Sequence, residues 1–382
     1  MRVVVLGCGR VGQAMVRDLA GEGGWRITAA DVAQESLDRV AGIPGVTAAR
    51  TDLGEASAVA ELIAGHDLAV GAVPGPMGLA TLRTVIEAGV DVVDISFFEE
   101  DPFQLQELAV ERGVTAVMDC GIAPGFSNLV LGHAEAVFDR VDRFQCLVGG
   151  LPEVREWPYE YRAVFSPIDV IAEYTRPARL VERGREVVRE ALSEVEPVDL
   201  PGVGTLEAFN SDGLRTLLRS SAVPDMKEKT LRYPGHADRM RMLRETGFFG
   251  EQPIVVNGVA IRPIDVTARL LFPAWQLPEG EGDLTVMRID VDGVLDGRPL
   301  RRRWELFDRF DHEACISSMA RTTGYTCTSV VCAVASGLYR EPGLVPPEIL
   351  GRVPGVYDFV VERLAERGVV FSVSDLPLEP EP

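Results

Sequence analysis

Along the first part of the chain, short apolar runs alternate with amphipathic segments. Val3-Val4-Val5-Leu6 is a β-branched run of the kind that fills a buried parallel strand. The segment from about Gly9 to Leu19 then sets Val11, Met15, Val16 and Leu19 on one side, the spacing of a helix. The pattern continues with strands at 26–30, 46–49, 68–73, 90–95 and 114–118 and helices at 33–40, 56–64, 78–88 and 103–112. Such alternation predicts a doubly wound parallel sheet.

From Val141 the pattern changes. A strand at 144–150 is followed by the aromatic passage Trp157-Pro158-Tyr159-Glu160-Tyr161, shorter strands at 205–209 and 228–233, and helices at 236–246 and 263–271. Segments 283–291 and 299–307 read as a hairpin turning on Leu295-Asp296-Gly297. These elements predict a second, α+β domain with a mixed sheet, so the fold class is α/β overall. A buried helix is expected at 319–338, a terminal helix at 357–367 and a frayed tail after Ser374. The expected domains are 1–122, 123–345, and a C-terminal segment 346–382.

The first strand runs directly into Gly7-Cys8-Gly9-Arg10-Val11-Gly12. In G-x-G-x-x-G, the glycines make a tight turn, let a phosphate approach the backbone, and bring the helix close to the strand. The helix N-terminus then aims free N–H groups at a pyrophosphate, as in a Rossmann domain. The second strand ends in Asp31, nineteen residues after Gly12, where a carboxylate accepts hydrogen bonds from ribose hydroxyls. Val32-Ala33-Gln34-Glu35 carries no base to balance a 2′-phosphate, so NAD is expected and NADP disfavoured. FAD uses the same fingerprint. Val73, Pro74 and Gly75, together with Asp94, Asp119 and Gly121, fall where carboxyl-terminal strand ends should line the cofactor.

Composition narrows the field. The chain has 382 residues, 46% hydrophobic and 25% charged, which is ordinary for a globular protein. A net charge of −20 argues against a nucleic-acid partner. Six scattered cysteines and four separated histidines give no metal-ligand spacing, so no metal is expected and a reducing cytoplasm fits. No apolar run is long enough for a membrane span.

The stretches 119–128 (Asp119-Cys120-Gly121-Ile122-Ala123-Pro124-Gly125-Phe126-Ser127-Asn128), Val148-Gly149-Gly150-Leu151-Pro152, Leu192-Ser193-Glu194-Val195-Glu196-Pro197, Glu207-Ala208-Phe209-Asn210-Ser211-Asp212-Gly213 and Leu231-Arg232-Tyr233-Pro234-Gly235-His236 resemble the saccharopine dehydrogenase superfamily. They are most similar to the lysine 6-dehydrogenases within it. The resemblance covers nearly the whole chain. It implies a Rossmann domain, a catalytic domain that also makes a homodimer or higher homo-oligomer, a C-terminal helix that returns to the Rossmann domain, and NAD-dependent oxidation at a C–N bond. For the lysine enzyme this means oxidative deamination of L-lysine at the ε-carbon to the semialdehyde, which cyclises.

An amine loses hydride only when its lone pair is free, so a general base or a desolvating pocket must favour the neutral amine. His236 leads for that role, with carboxylates Glu160, Asp212 and Asp94 behind it. An amino-acid carboxylate calls for an arginine, Arg232 first and Arg215 second; Tyr159, Tyr161 and Asn210 are expected to line the pocket. Cys120 reads as small packing. Two alternatives stay open. One is a saccharopine- or carboxynorspermidine-type secondary-amine enzyme, whose larger anionic substrate would call on Arg162 or Arg176. The other is an NAD-binding sensor without turnover.

Overall fold

A computed structural model describes residues 1–163, 167–278 and 280–378. The chain divides into one unit of Met1–Val137 with Ala320–Val370 and a second of Phe138–Met319 with the residues from Phe371 onward. The divisions fall after Val137 and Met319, where 122 and 345 were expected.

The first unit is built on a seven-stranded parallel sheet in the order Gly343–Val345, Thr115–Val117, Asp91–Asp94, Leu68–Gly71, Arg2–Leu6, Arg26–Asp31, Val46–Arg50. Val3, Val4, Val5 and Leu6 at its centre have no exposure, as a strand covered on both faces requires. Six strands lie where the apolar runs predict them. The seventh comes from far along the chain, pairing Gly343 with Thr115 and Val345 with Val117. The strand expected at 68–73 stops at Gly71, and the next helix starts at Gly75, with Pro76 in its opening turn where a missing N–H costs nothing. Val73 and Pro74 therefore form the loop. The order reverses between Arg2–Leu6 and Leu68–Gly71, and at such a point an open α/β sheet leaves a crevice outside its carboxyl ends.

Late segments of the chain cover the first helix, Arg10–Ala20. Gly324, within Ser318–Ser336, packs against that helix, where an added Cβ would meet Met15 Cγ at 3.4 Å, an ordinary contact. Arg367, just past the helix Val356–Glu366, donates from Nε to Asp18 Oδ1 over 2.5 Å.

The second unit holds a nine-stranded mixed sheet. Its main path runs Glu196–Leu200, Gly204–Asn210, Asp225–Arg232, Arg140–Pro152, Asp283–Leu295, Arg298–Arg309, Phe371–Pro377. Arg140–Pro152 and Asp225–Arg232 are parallel, and the other pairs on this path are antiparallel. Asp296 and Gly297 take positive φ at 48° and 72°, the backbone that a tight hairpin turn demands. Across that hairpin, bidentate pairs join Arg303 to Asp290 and Arg301 to Asp292. The tail is not frayed at Ser374: Phe371–Pro377 pairs with the hairpin, Ser374 opposite Arg303. Free backbone groups on an edge strand explain that recruitment. The last four residues lie outside the described ones. Helices Pro167–Thr175, His236–Thr246 and Pro263–Trp275 share an apolar cluster that includes Tyr161, Tyr174, Phe209 and Trp275. Among the described residues no helix is long and apolar enough to cross a membrane.

Candidate active site

In the first unit, Gly7 sits at φ +106°, and a Cβ there would lie 2.3 Å from the Ala72 carbonyl oxygen. A Cβ on Gly12 would lie 2.0 Å from the Gly7 oxygen, so these two glycines let strand, turn and helix close on each other. Gly9 differs, since an added Cβ would meet nothing within 4 Å. Its face is open, and Arg10 and Val11 follow it in the first turn of a helix with no acidic residue there and no side-chain cap. Uncapped N–H groups beside an open glycine suit a diphosphate. Asp31 accepts from Cys8 N–H and from Ala33 N–H, both over 2.8 Å, which fixes its carboxylate at the rim of the turn. Burial, then the nearby Asp31, pushes the Cys8 thiol up to about 12, so it stays protonated. A nicotinamide dinucleotide fits this donor and acceptor set.

Asp94 ends its strand fully buried. One oxygen accepts from Ser96 N–H; the other, like Ser96 Oγ, has no partner among the described residues. Burial pushes its carboxyl up to about 6, against the opposing hydrogen bond from the Ser96 N–H, and Asp119 adds to the rise. Asp119 is itself buried at φ +53°, and Cys120 N–H donates to the Asp94 carbonyl over 2.9 Å. Gly121 bridges to Gly125, whose φ of +135° lets the following turn fold back tightly.

In the second unit the expected base lies at the start of its helix without any exposure. Nδ1 of His236 is 3.0 Å from the Tyr159 carbonyl, which only accepts, so that nitrogen carries the proton. Nε2 then accepts the Tyr174 hydroxyl over 2.9 Å. Burial, then the charges of Arg232 and Arg239, holds its pKa down at about 3, opposed by the bond to Tyr159. His236 is thus a neutral imidazole with both nitrogens engaged, where a freely titrating one was expected.

Arg232 is equally committed. Nη2 reaches Glu173 over 2.7 Å and Nη1 reaches the Leu231 carbonyl over 2.9 Å, so the bidentate grip expected for a substrate is taken up. Its guanidinium lies 4.6 Å from the Tyr161 ring centroid. Burial keeps both Tyr161 and Tyr174 protonated, and it raises the Glu173 carboxyl as well, against the pull of Arg232. Three buried donors here have no partner among the described residues: the Tyr161 hydroxyl, Arg232 Nε and Trp275 Nε1. Tyr161 touches both others, meeting Trp275 edge-on at 5.5 Å, while Tyr159 meets Trp275 at 6.1 Å. Buried donors are rarely left unmet in a folded protein.

The remaining expected residues are engaged by neighbouring groups. Glu160, at φ +49°, is held by Arg155 at 2.5 Å and Arg239 at 3.3 Å. Asp212 takes a bidentate pair from Arg179 at 2.9 and 2.8 Å, which ties down the strand Ala178–Glu182. Neither carboxylate is open to an ammonium. Asn210 is buried at the end of its strand, with Nδ2 on Ser193 Oγ, and Arg215 is buried at φ +52° in the turn after Asp212. Arg162 donates to the Ala274 carbonyl and pairs with Glu156; Arg176 follows helix Pro167–Thr175, its N–H on the Ala172 carbonyl. Sequence reasoning missed Tyr174, Trp275 and Glu207. Glu207 accepts from Gly235 and Ala237 N–H at 2.8 and 2.5 Å and so fixes the turn that delivers His236. Its place inside a recognised stretch, three residues before Asn210, was the available signal.

Comparison with known proteins splits the chain between residues 117 and 121, ahead of the division after Val137. The model of the saccharopine dehydrogenase NADP binding domain matches residues 3–117, and that of the saccharopine dehydrogenase C-terminal domain matches residues 121–369. Saccharopine dehydrogenase [NADP(+), L-glutamate-forming] of Schizosaccharomyces pombe is 20% identical over 86% of this chain and 88% of its own. Mouse mitochondrial alpha-aminoadipic semialdehyde synthase is 22% identical over 66% of this chain, which spans 29% of that longer protein. The apo saccharopine dehydrogenase (L-Glu forming) of Saccharomyces cerevisiae shares the fold, with a TM-score of 0.78 at 19% identity over 98% of this chain and 99% of that one. With the C-terminal domain model alone spanning well over half of its length, this chain belongs to the saccharopine dehydrogenase family.

Proposed function

We propose that the protein is a nicotinamide-dinucleotide oxidoreductase of lysine metabolism that makes or breaks the C–N bond of a carboxylate-bearing secondary amine of the saccharopine type. The observation that carries this reading is the trio of buried, unpartnered donors around His236, Tyr161 Oη, Arg232 Nε and Trp275 Nε1. The names of the curated relatives favour it over the lysine 6-dehydrogenase reading, which stays as the second.

In the oxidative direction, the substrate carbon loses hydride and its nitrogen loses a proton, leaving an imine. Water adds to that carbon and the C–N bond breaks, giving an amine and a carbonyl compound. The dinucleotide, held by Gly7, Gly9, Gly12 and Asp31, supplies the hydride acceptor. The trio holds a substrate carboxylate and so orients the reacting carbon. An anion beside Arg232 offsets the charge that helps hold His236 down, moving the imidazole towards its ordinary range.

Purified protein with saccharopine, L-lysine, or L-glutamate plus an aldehyde, with each dinucleotide, tests this by nicotinamide absorbance. Turnover of saccharopine, or of glutamate with the aldehyde, is expected. Turnover of lysine alone returns the second reading, and bound dinucleotide without any turnover overturns both.

A further inference from the structure

The family model that matches residues 3–117 is named for NADP, while Asp31 taken alone argues against a 2′-phosphate. Asp31 does not stand alone. The strand Val46–Arg50 runs parallel to Arg26–Asp31 in a register that sets Arg50 directly opposite Asp31. Arg50 is exposed, and its Nε donates to the Val32 carbonyl over 3.1 Å, which lays the guanidinium along the loop that leaves Asp31. Among the described residues nothing engages its two terminal nitrogens.

The neighbouring charges are committed elsewhere. Arg39 is paired with Glu35 at 3.1 Å, and Asp52 accepts from Gly54 N–H. Asp31 directs one oxygen to Cys8 N–H and the other to Ala33 N–H, so its carboxylate is fixed in place and partly balanced by backbone donors. The loop beside Asp31 thus holds an arginine whose planar fork is open, the group that suits a phosphate dianion best.

We propose that Arg50 is the specificity-determining residue at the adenosine end of the first unit, taking the 2′-phosphate so that the protein binds NADP(H) in preference to NAD(H). The proposal rests on the dinucleotide reading above. Arg50 offsets the repulsion that Asp31 alone would exert, while Asp31 keeps its hold on the turn through Cys8.

Calorimetric titration of the protein and of the Arg50→Ala and Arg50→Glu variants with NADPH, NADH, 2′-AMP and 5′-AMP tests it. Arg50 is exposed, and a thermal melt of each variant checks that the fold is intact. Wild-type protein is expected to favour NADPH, and 2′-AMP over 5′-AMP. Arg50→Ala should weaken NADPH by roughly 10-fold or more and leave NADH within about 2-fold, with Arg50→Glu more severe. If NADPH and NADH weaken equally, or neither changes, Arg50 is not the determinant although the dinucleotide reading survives. If wild-type protein binds neither dinucleotide, both fall.

Discussion

The Tyr174 hydroxyl donates to Nε2 of His236 over 2.9 Å, and the opposite nitrogen of the same ring donates to the Tyr159 carbonyl over 3.0 Å. The imidazole is thus fixed in one tautomer and kept neutral. Between its ordinary value of 6.5 and about 3, the unfolded chain binds a proton that the native chain refuses. Stability is therefore lost as pH falls through that window, by on the order of 5 kcal/mol. His236→Asn removes this dependence and costs about 1–3 kcal/mol at pH 8 by leaving Tyr174 without its acceptor. Urea midpoints across pH read both effects; unchanged acid slopes would rule the account out.

Asp94 acts with the opposite sign. Its native carboxyl titrates at about 6 against an ordinary 3.8, so the native chain holds a proton in that window that the unfolded chain has released. Stability is full below 3.8 and falls as pH rises through 6, by about 3 kcal/mol. Asp94→Asn keeps an acceptor for Ser96, so it should raise the melting temperature at pH 8 and leave it near wild type at pH 4. An equal effect at both values would contradict the buried-acid assignment.

Two glycines of the turn separate by experiment. Gly12→Ala places a methyl group against the Gly7 carbonyl and should cost more than about 2 kcal/mol. Gly9→Ala meets no protein atom, so stability should stay within about 1 kcal/mol while dinucleotide affinity drops roughly 10-fold or more. Melting and titration of the same samples distinguish the two. Full affinity in Gly9→Ala would place the diphosphate elsewhere.

Asp212 is assigned to the Arg179 pair, not to the chemistry. Asp212→Asn should lose about 1–3 kcal/mol and keep its turnover per folded molecule. A fall in turnover at undiminished stability would return it to the reaction.

Much of the fold was legible in the sequence, because period-2 and period-3.6 runs report burial directly. The glycine turn and Asp31 were legible for the same local reason. What was not legible depends on residues that register brings together. Gly343–Val345 is too short a run to announce itself as a strand until Thr115–Val117 offers an edge. Arg50 lies nineteen residues from Asp31 along the chain and becomes its neighbour only through strand pairing. Tyr174 and Trp275 fall outside the helices that the pattern predicts, and only the packing of three helices shows that the Trp275 indole N–H is left over. Asp212 looked like an open carboxylate because its arginine partner, Arg179, is remote in sequence.

The account stands or falls on the Tyr161 hydroxyl as a substrate donor. Steady-state kinetics of Tyr161→Phe with a saccharopine-type amino acid, alongside calorimetric binding of the dinucleotide, tests this directly. The account predicts that KM for the amino acid rises about 10-fold, with kcat less affected and dinucleotide affinity and melting temperature unchanged. An unaltered KM would contradict it.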